Sequence, residues 1–578
     1  MAAARGACAV RALILGLAAL AFACGAFADP CALHQPVDHA IQEKFQQQDW
    51  PGVIRLAEAV PALTPDDNFA LGMAQAHLGR LADAQQALRR GQRQCPRDKR
   101  FPTELAGAAF EQKQYPAAAL WLRQAQRLDP TDAYVSNFLG TVYFLSGNLD
   151  AALQAWNRLD KPTIDNLDLD PHLRVHRLLL ERAFAFSPHA VLEEPQYETT
   201  ALRLEGLGIF PAWSLRLNAL PNGHFDAVLR AQEQDGFGAS PLEAAVSAFA
   251  GLPYETAYPS YANIQHSAIN VKSLFRWDAQ KRRAWVALSA PLNRLPWWRW
   301  QISADLRNEN WAIRRSFTGS APVLASLNTE RESFDATLTS LSTGRLQWSA
   351  GAAVAHRNFR SVAARTALTA ALLTSGYEVR QLASVQAPLL HLPERRFTLT
   401  GAASSAFART LSSPSYPSET LQGSALADWF PQMEEDRYEL TQHLRAGRIF
   451  GSVPFDDLFL FGLDRDDTNL GLRAHLATRD GRKGSAPIGN GYLLSNTDFY
   501  RRLYTNGLLT IHAGPLLDIG RMTAPNNALS AQQWLFDAGV EARLTVLHTS
   551  VVLSYGRDLR SGANAFYGTA APPAMTLP

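Results

Sequence analysis

Few residue combinations in this 578-residue chain could make or break bonds. No His-Glu-x-x-His zinc signature, Gly-x-Ser-x-Gly elbow or Cys-x-x-Cys pair occurs. Gly481-Arg482-Lys483-Gly484-Ser485 has the composition of a phosphate loop, but neither the Walker spacing nor a helix behind it, and reads as part of a flexible loop. Asp464, Asp466 and Asp467 lack the glycine at position six and the acid at position twelve of a calcium loop, and read as a solvated acidic turn. The fourteen histidines include no helix-spaced pair beside an acid. The chain is accordingly read as a non-enzyme, with no cofactor and no metal. Its chemistry is that of charge held in an apolar frame, concentrated in residues 455–520. That stretch carries Arg473-Ala474-His475 and Leu516-Leu517-Asp518-Ile519-Gly520.

Strands must present those charges. Leu509, Ile511, Ala513, Leu517 and Ile519 fall on one side, broken only by Pro515; Thr510, His512, Gly514, Leu516, Asp518 and Gly520 fall on the other. Side chains alternate across a strand, so an apolar face is backed by a mostly polar one. The pattern recurs through residues 236–578. Trp300, Ile302, Ala304 and Leu306 oppose Gln301, Ser303, Asp305 and Arg307, and Phe536, Ala538 and Val540 oppose Asp537, Gly539 and Glu541. Strands of about ten residues between turns, without a long helical pattern, fit a membrane β-barrel, apolar toward lipid and polar toward the lumen. Trp297, Trp298, Trp300 and Trp311 cluster near strand ends, where an interfacial aromatic belt would place them. A large soluble sandwich would also alternate. It buries one face and wets the other, whereas a lumen tolerates charge pairs inside the fold.

Net charge is +2 with 19% charged residues, which argues against a nucleic-acid partner. Residues 1–28 read as a secretory signal: Arg5 and Arg11, an apolar run over 12–23, and the small-x-small site Ala26-Phe27-Ala28. Twelve apolar residues are too few to span a bilayer, and no later run approaches the roughly 20 required. A lipoprotein cut before Cys24 would have a poor lipobox in Ala21-Phe22-Ala23. Cys31 and Cys95 remain after cleavage, either as one disulfide of an oxidising compartment or as two buried thiols.

A repeat of 34 residues runs through the N-terminal part. Leu71-Gly72, Leu105-Ala106 and Leu139-Gly140 keep this step, as do Ala84, Ala118 and Ala152, and Leu88, Leu122 and Trp156. Gly79 and Gly147 mark the intervening turn, with Lys113 in register between them. This resembles the tetratricopeptide repeat (TPR), and residues 29–164 are assigned to it, an earlier unit with Trp50, Val53 and Pro65 capping the array. Such arrays present a concave surface, either for docking another protein or as a rigid spacer.

Composition changes after Pro171. A strand over 174–184, a helix over 195–207 and a hairpin turning at Asn222-Gly223 are expected within residues 172–235. Leu204-Glu205-Gly206-Leu207-Gly208-Ile209-Phe210 before the hairpin and Arg230-Ala231-Gln232-Glu233-Gln234 at its end resemble a polypeptide-transport-associated (POTRA) domain. In that family a sheet edge can accept an extended client. A plain connector is the other reading.

The module order and the C-terminal words resemble the BamA-type barrel superfamily: outer-membrane insertases, two-partner secretion transporters and surface-antigen relatives. Arg473-Ala474-His475 stands where the family has Arg-Gly-aromatic in a long loop, and Leu516-Leu517-Asp518-Ile519-Gly520 where it has Phe-x-Asp-x-Gly on a strand. The resemblance implies a barrel of about sixteen strands, a loop folded back into it, and an Arg473–Asp518 pair. Ala474, His475 and Leu516 depart from the pattern, and the chain runs eleven residues past Tyr567, where the family's signal ends on an aromatic. The implied place is the outer membrane, with the N-terminal parts in the periplasm. The implied role is protein insertion or translocation, with client or accessory proteins as partners. An exopolysaccharide-export porin with a TPR scaffold and a non-transporting surface antigen or scaffold are the alternatives. The sequence sets no oligomeric state.

Overall fold

The computed structural model describes residues 38–238, 240–314, 322–364, 368–412, 415–431, 437–464, 470–523, 533–546 and 549–571. The expected signal, Cys31, Asp466 and Asp467 lie outside these residues. The chain divides into two compact units, Met1–Leu159 and Asp160–Pro578. No helix among the described residues is long and apolar enough to cross a membrane, which says nothing of strands.

The first unit is helical: α1 (His39–Gln46), α2 (Trp50–Ala59), α3 (Pro65–His77), α4 (Leu81–Gln94), α5 (Arg100–Glu111), α6 (Tyr115–Leu128), α7 (Ala133–Leu145) and α8 (Leu149–Trp156). Asp38, Asp49, Thr64, Asp132 and Asn148 cap five of them by accepting from orphan backbone N–H groups. The 34-residue positions are the packing positions. Leu71, Leu105 and Leu139 are buried, and Ala84, Ala118 and Ala152 are fully so. A Cβ on Gly72 would lie 2.7 Å from the Leu88 side chain, and one on Gly140 2.3 Å from the Trp156 ring, so these helix pairs cross at glycine. Gly79 and Gly147 hold φ of +74° and +79°, and Lys113 takes the same turn at φ 58° despite its side chain. Cys95 is disulfide-bonded, to a partner outside the described residues.

The second unit begins with a four-stranded sheet of order β2-β1-β4-β3, with β1 at Thr163–Asp168, β2 at Ala190–Val191, β3 at Ala212–Ala219 and β4 at Phe225–Gln232. Helices α9 (Arg177–Ala183) and α10 (Glu194–Leu207) accompany it. Two expectations are corrected. Where a strand is expected over 174–184, Arg177–Ala183 is helical, because Leu179, Leu180 and Ala183 bury one face behind a His176 cap. Residues 163 and 164, the last two assigned above to the repeats, open β1, which pairs in parallel with β4. The hairpin turns at Asn222-Gly223 as expected, with Gly223 at φ 82°.

Next comes a nine-residue helix, α11 (Pro241–Phe249), which the reading of an all-strand region did not anticipate. The wall follows: β5 (Thr256–Ala257), β6 (Ser260–Ile264), β7 (Ile269–Trp277), β8 (Lys281–Leu292), β9 (Leu295–Arg314), β10 (Val323–Thr343), β11 (Leu346–Ala364), β12 (Gly376–Leu392), β13 (Phe397–Thr410), β14 (Pro417–Trp429) and β15 (Tyr438–Gly451). After a long loop it resumes with β20 (Gly491–Thr505), β21 (Leu509–Thr523), β22 (Trp534–Val546), β23 (Thr549–Asp558) and β24 (Asn564–Ala571). The loop holds β16 (Phe459–Leu460), β17 (Thr478–Arg479), β18 (Arg482–Lys483) and β19 (Ile488–Gly489). The sheet closes into a barrel in which β5 neighbours β24. An unbroken series of antiparallel ladders links β5 through β7 to β15, then β20 to β24.

Alternation sets the two faces. Leu306, Phe334, Leu517 and Val540 are 40–57% exposed on the outside, whereas Asp305, Arg357, Asp518 and Asp537 are at most 4% exposed. Charge is buried and hydrocarbon exposed, the inverse of a water-soluble core and the pattern a lipid-facing wall requires. Trp298 and Trp300 take the outward parity. Trp297 and Trp311 share the inward parity of Asp305 and are corrected as belt residues: Arg203 of α10 lies over Trp297, and Trp311 meets Phe455 of the loop. At the short-turn end α10 docks on the barrel. Arg203 Nη2 donates to Ser342 O at 2.9 Å, and the Gly344 N–H to Thr199 Oγ1 at 2.9 Å.

Candidate functional site: a charge-clamped loop inside the barrel

The described parts of the segment between β15 and β20, residues 452–464 and 470–490, lie within the barrel. Phe455, Phe459, Phe461, Leu470, Leu472 and Ile488 form a core with Ile313, Leu327, Tyr492, Leu494 and Met522 of the wall. Burying these aromatic and aliphatic groups holds the loop by the hydrophobic effect. Three charge clusters add direction.

The first involves Asp456 and Asp457 at the loop's root. Arg357 of β11 sets Nη2 2.9 Å from Asp457 Oδ2 and Nη1 3.0 Å from Glu378 Oε2 of β12. Arg380 of β12 reaches Asp457 Oδ1 at 2.7 Å, and Arg331 of β10 reaches Asp456 Oδ2 at 3.3 Å. Three arginines therefore face three carboxylates, the balance that buried ions need.

The second involves Asp464, which receives Lys281 Nζ of β8 at 2.8 Å, while Lys483 Nζ pairs with Glu309 Oε1 of β9 at 2.8 Å. Both residues correct the sequence reading. Asp464 is 3% exposed and ion-paired, not a solvated turn, and Lys483 is 3% exposed, bridged to Trp311 in the wall, not part of a free glycine loop. Gly481 and Gly484, at φ +75° and +105°, shape the turn that brings Lys483 back.

The third is formed by Arg473. Its Nη2 lies 2.6 Å and its Nε 3.2 Å from Asp518 Oδ1, its own N–H donates to Asp518 Oδ2 at 2.9 Å, and Nη1 contacts Asp498 and, at 3.2 Å, Glu541 Oε2. Asp518 is fully buried and also accepts from Asn496 Nδ2 at 2.7 Å. The structure thus brings Arg473 and Asp518 into a forked, charge-assisted contact. The Ala474 N–H donates to Asp537 Oδ2 at 2.7 Å, and His475 Nδ1 lies 3.0 Å from the same oxygen. Leu516 and Gly520 are inward on β21, and a Cβ on Gly520 would meet Phe461 and Leu472 at 3.0–3.2 Å. A Cβ on Gly556 of β23 would lie 2.5 Å from Arg473 O, so the loop tip rests on bare backbone there.

Sequence reasoning did not single out Asp456, Asp457, Arg331, Arg357, Arg380, Glu378, Asp558 or Gly556 as site residues. Inward parity marks the strand members of that group, and the adjacent acids of Phe455-Asp456-Asp457 mark the loop root. The pairing of the loop root with the strands, 77 residues apart for Arg380 and Asp457 and 126 for Arg331 and Asp457, carries no local signal. Nor did it anticipate that His475, Asp537 and Asp558 would be gathered together, all buried.

No protein-family model matches the chain, and no curated protein does. Among solved structures, CdiB from Acinetobacter baumannii is similar at 12% identity, over 70% of this chain and 73% of that one, with a TM-score of 0.42. CdiB from Escherichia coli is similar at 11%, over 71% and 76%, with a TM-score of 0.46. BamA from Haemophilus ducreyi lacking POTRA domains 1-3 is similar at 10%, over 71% and 84%, with a TM-score of 0.38.

Proposed function

We propose that this chain is an outer-membrane β-barrel of the BamA-type superfamily that takes part in inserting proteins into that membrane or moving them across it. The helical hairpins serve as a periplasmic TPR array recruiting a client or accessory protein, and the small sheet with α9 and α10 as a POTRA-like module. The observation that carries this reading is the Arg473–Asp518 contact, made by a loop folded into a barrel whose exposed face is apolar. A permanently open conduit has no use for a buried plug held by three charge clusters. That weighs against the exopolysaccharide porin, and a loop so anchored is also more than a passive surface scaffold needs.

Depletion of the protein, followed by parallel measurement of the outer-membrane proteome and of exopolysaccharide, tests this. Loss of a subset of membrane or secreted proteins with polysaccharide unchanged is expected. Loss of polysaccharide alone would replace the proposal with the porin, and no change in either would leave a scaffold.

A further inference from the structure

β10 runs toward the turn that receives α10, and each antiparallel step reverses direction. β21 therefore ends, β22 begins and β23 ends at the opposite rim. Counted from the buried Asp518 and Asp537, the outward parity at that rim falls on Arg521, Trp534 and Phe536. With Gln533, Leu559 and Arg560 they line an open cavity of about 560 Å³ on the outer face.

Its floor is apolar. Trp534, Phe536 and Leu559 are exposed and continue the lipid-facing surface that Val540 and Tyr555 carry further along the same strands. Its cations are Arg521 and Arg560, both exposed. The Arg521 guanidinium lies over the Trp534 ring, 5.8 Å from its centroid, and Arg560 Nη1 donates to Trp534 O at 3.5 Å. Among the described residues neither guanidinium is in ion-pair reach of a carboxylate. The neighbouring sequence offers none, because no Asp or Glu occurs between Asp518 and Asp537 or after Asp558. Those three acids are buried and engaged elsewhere, Asp518 with Arg473, Asp537 with His475 and Asp558 with Ser561.

We propose that Arg521 and Arg560 bind the phosphate of an acylated lipid in the leaflet away from α10, with its chains lying on Trp534, Phe536 and Leu559. Guanidinium groups present paired donors that match phosphate oxygens, and basic pockets at a membrane surface recognise lipid head groups in this way. Free phosphate would meet the arginines but leave the apolar floor in water, so the combination favours a molecule whose anionic head adjoins its hydrocarbon. In an outer membrane that leaflet is built of phosphorylated glycolipid, which makes lipid A, a phosphorylated and acylated disaccharide, the probe. The inference rests on the wall standing in such a membrane and not on the transport role.

The test titrates the full-length protein, purified in detergent, with lipid A and counts bound lipid by native mass spectrometry. Wild type should take up one lipid A, at least about tenfold more tightly than the equally acylated but dephosphorylated form. That comparison needs no variant. Arg521→Gln combined with Arg560→Gln should erase the preference while keeping the heat-modifiable gel mobility of a folded barrel, since both side chains are exposed. Arg521→Lys with Arg560→Lys should keep part of it, having the charge without the fork. Inorganic phosphate in excess should not displace the lipid. Equal uptake by wild type and the glutamine variant, or no preference for the phosphorylated form, overturns the proposal. Displacement by inorganic phosphate does so too, and would leave a site for a free anion. A wild type that never becomes heat-modifiable in vesicles would instead remove the membrane barrel itself, and the site with it.

Discussion

Replacing Arg473 with alanine would leave Asp518 fully buried and Glu541 nearly so, both without their guanidinium. Asp498, whose side chain is 18% exposed, would retain partial hydration. Removing one partner of a buried ion pair costs about 3–5 kcal/mol, because the abandoned charge keeps its desolvation penalty. Arg473→Ala is therefore expected to lose about 4 kcal/mol. Asp518→Ala should lose about 3 kcal/mol, since Arg473 keeps Asp498 and Glu541. The double variant should fall short of the sum by about 2 kcal/mol, the coupling expected of groups in direct contact. Arg473→Lys, which keeps the charge but loses the fork, should lie between wild type and alanine. Equilibrium urea unfolding in lipid vesicles, followed by the thirteen tryptophans, measures all four. The losses should barely change with salt, because a buried pair is poorly screened. Strictly additive single losses, or a coupling abolished by moderate salt, would refute an energetically linked pair.

The clamp at the loop root predicts a change in conduction: Asp456→Asn with Asp457→Asn removes both loop carboxylates and leaves Arg357 and Arg380 with Glu378 of the wall, so single-channel recordings should show larger and more frequent openings than wild type. Gly556→Val places a Cβ 2.5 Å from Arg473 O, so it should expose the loop to limited proteolysis while the barrel stays heat-modifiable. Val540→Arg on the outer face should cost about 2–4 kcal/mol if that position lies near the bilayer midplane, measured by the same unfolding assay. In the helical unit, the hydrogen bond from Lys99 holds the Asp129 carboxyl down to about 2. A depressed folded value means the stabilisation is present above the ordinary carboxylate range near 4 and is lost as pH falls toward 2. A carbon-detected NMR titration should find the Asp129 carboxyl ionising below the ordinary carboxylate range, and Lys99→Met should return it toward that range.

What could be read without coordinates follows from how far each signal reaches along the chain. Alternation over residues 509–520 placed Asp518 on the inner face, because period two is a property of the strand itself. The step from Gly72 to Gly140 located helix crossings for the same reason. Trp311 and Trp297 were misassigned because aromatic content says nothing of parity, which must be counted from a neighbour such as Asp305. Asp464 and Lys483 were misjudged because hydrophilic loops usually face water, and only the closed wall turns such a loop inward. The strand over 163–168 was hidden because its partner, β4, lies some sixty residues on.

One consequence of the ladder series concerns where the wall would part. Each antiparallel step reverses direction, and fourteen steps separate β5 from β24, so the two neighbours at the closure run the same way. Same-direction strands share slanted, evenly spaced bonds that are slightly weaker per residue than the perpendicular pairs elsewhere around the ring. On one side of that joint β5 supplies two residues before Pro259, which has no N–H to give. Under heat or tension the ring should therefore unfasten first between its first and last staves, leaving the plug seated against those that remain joined.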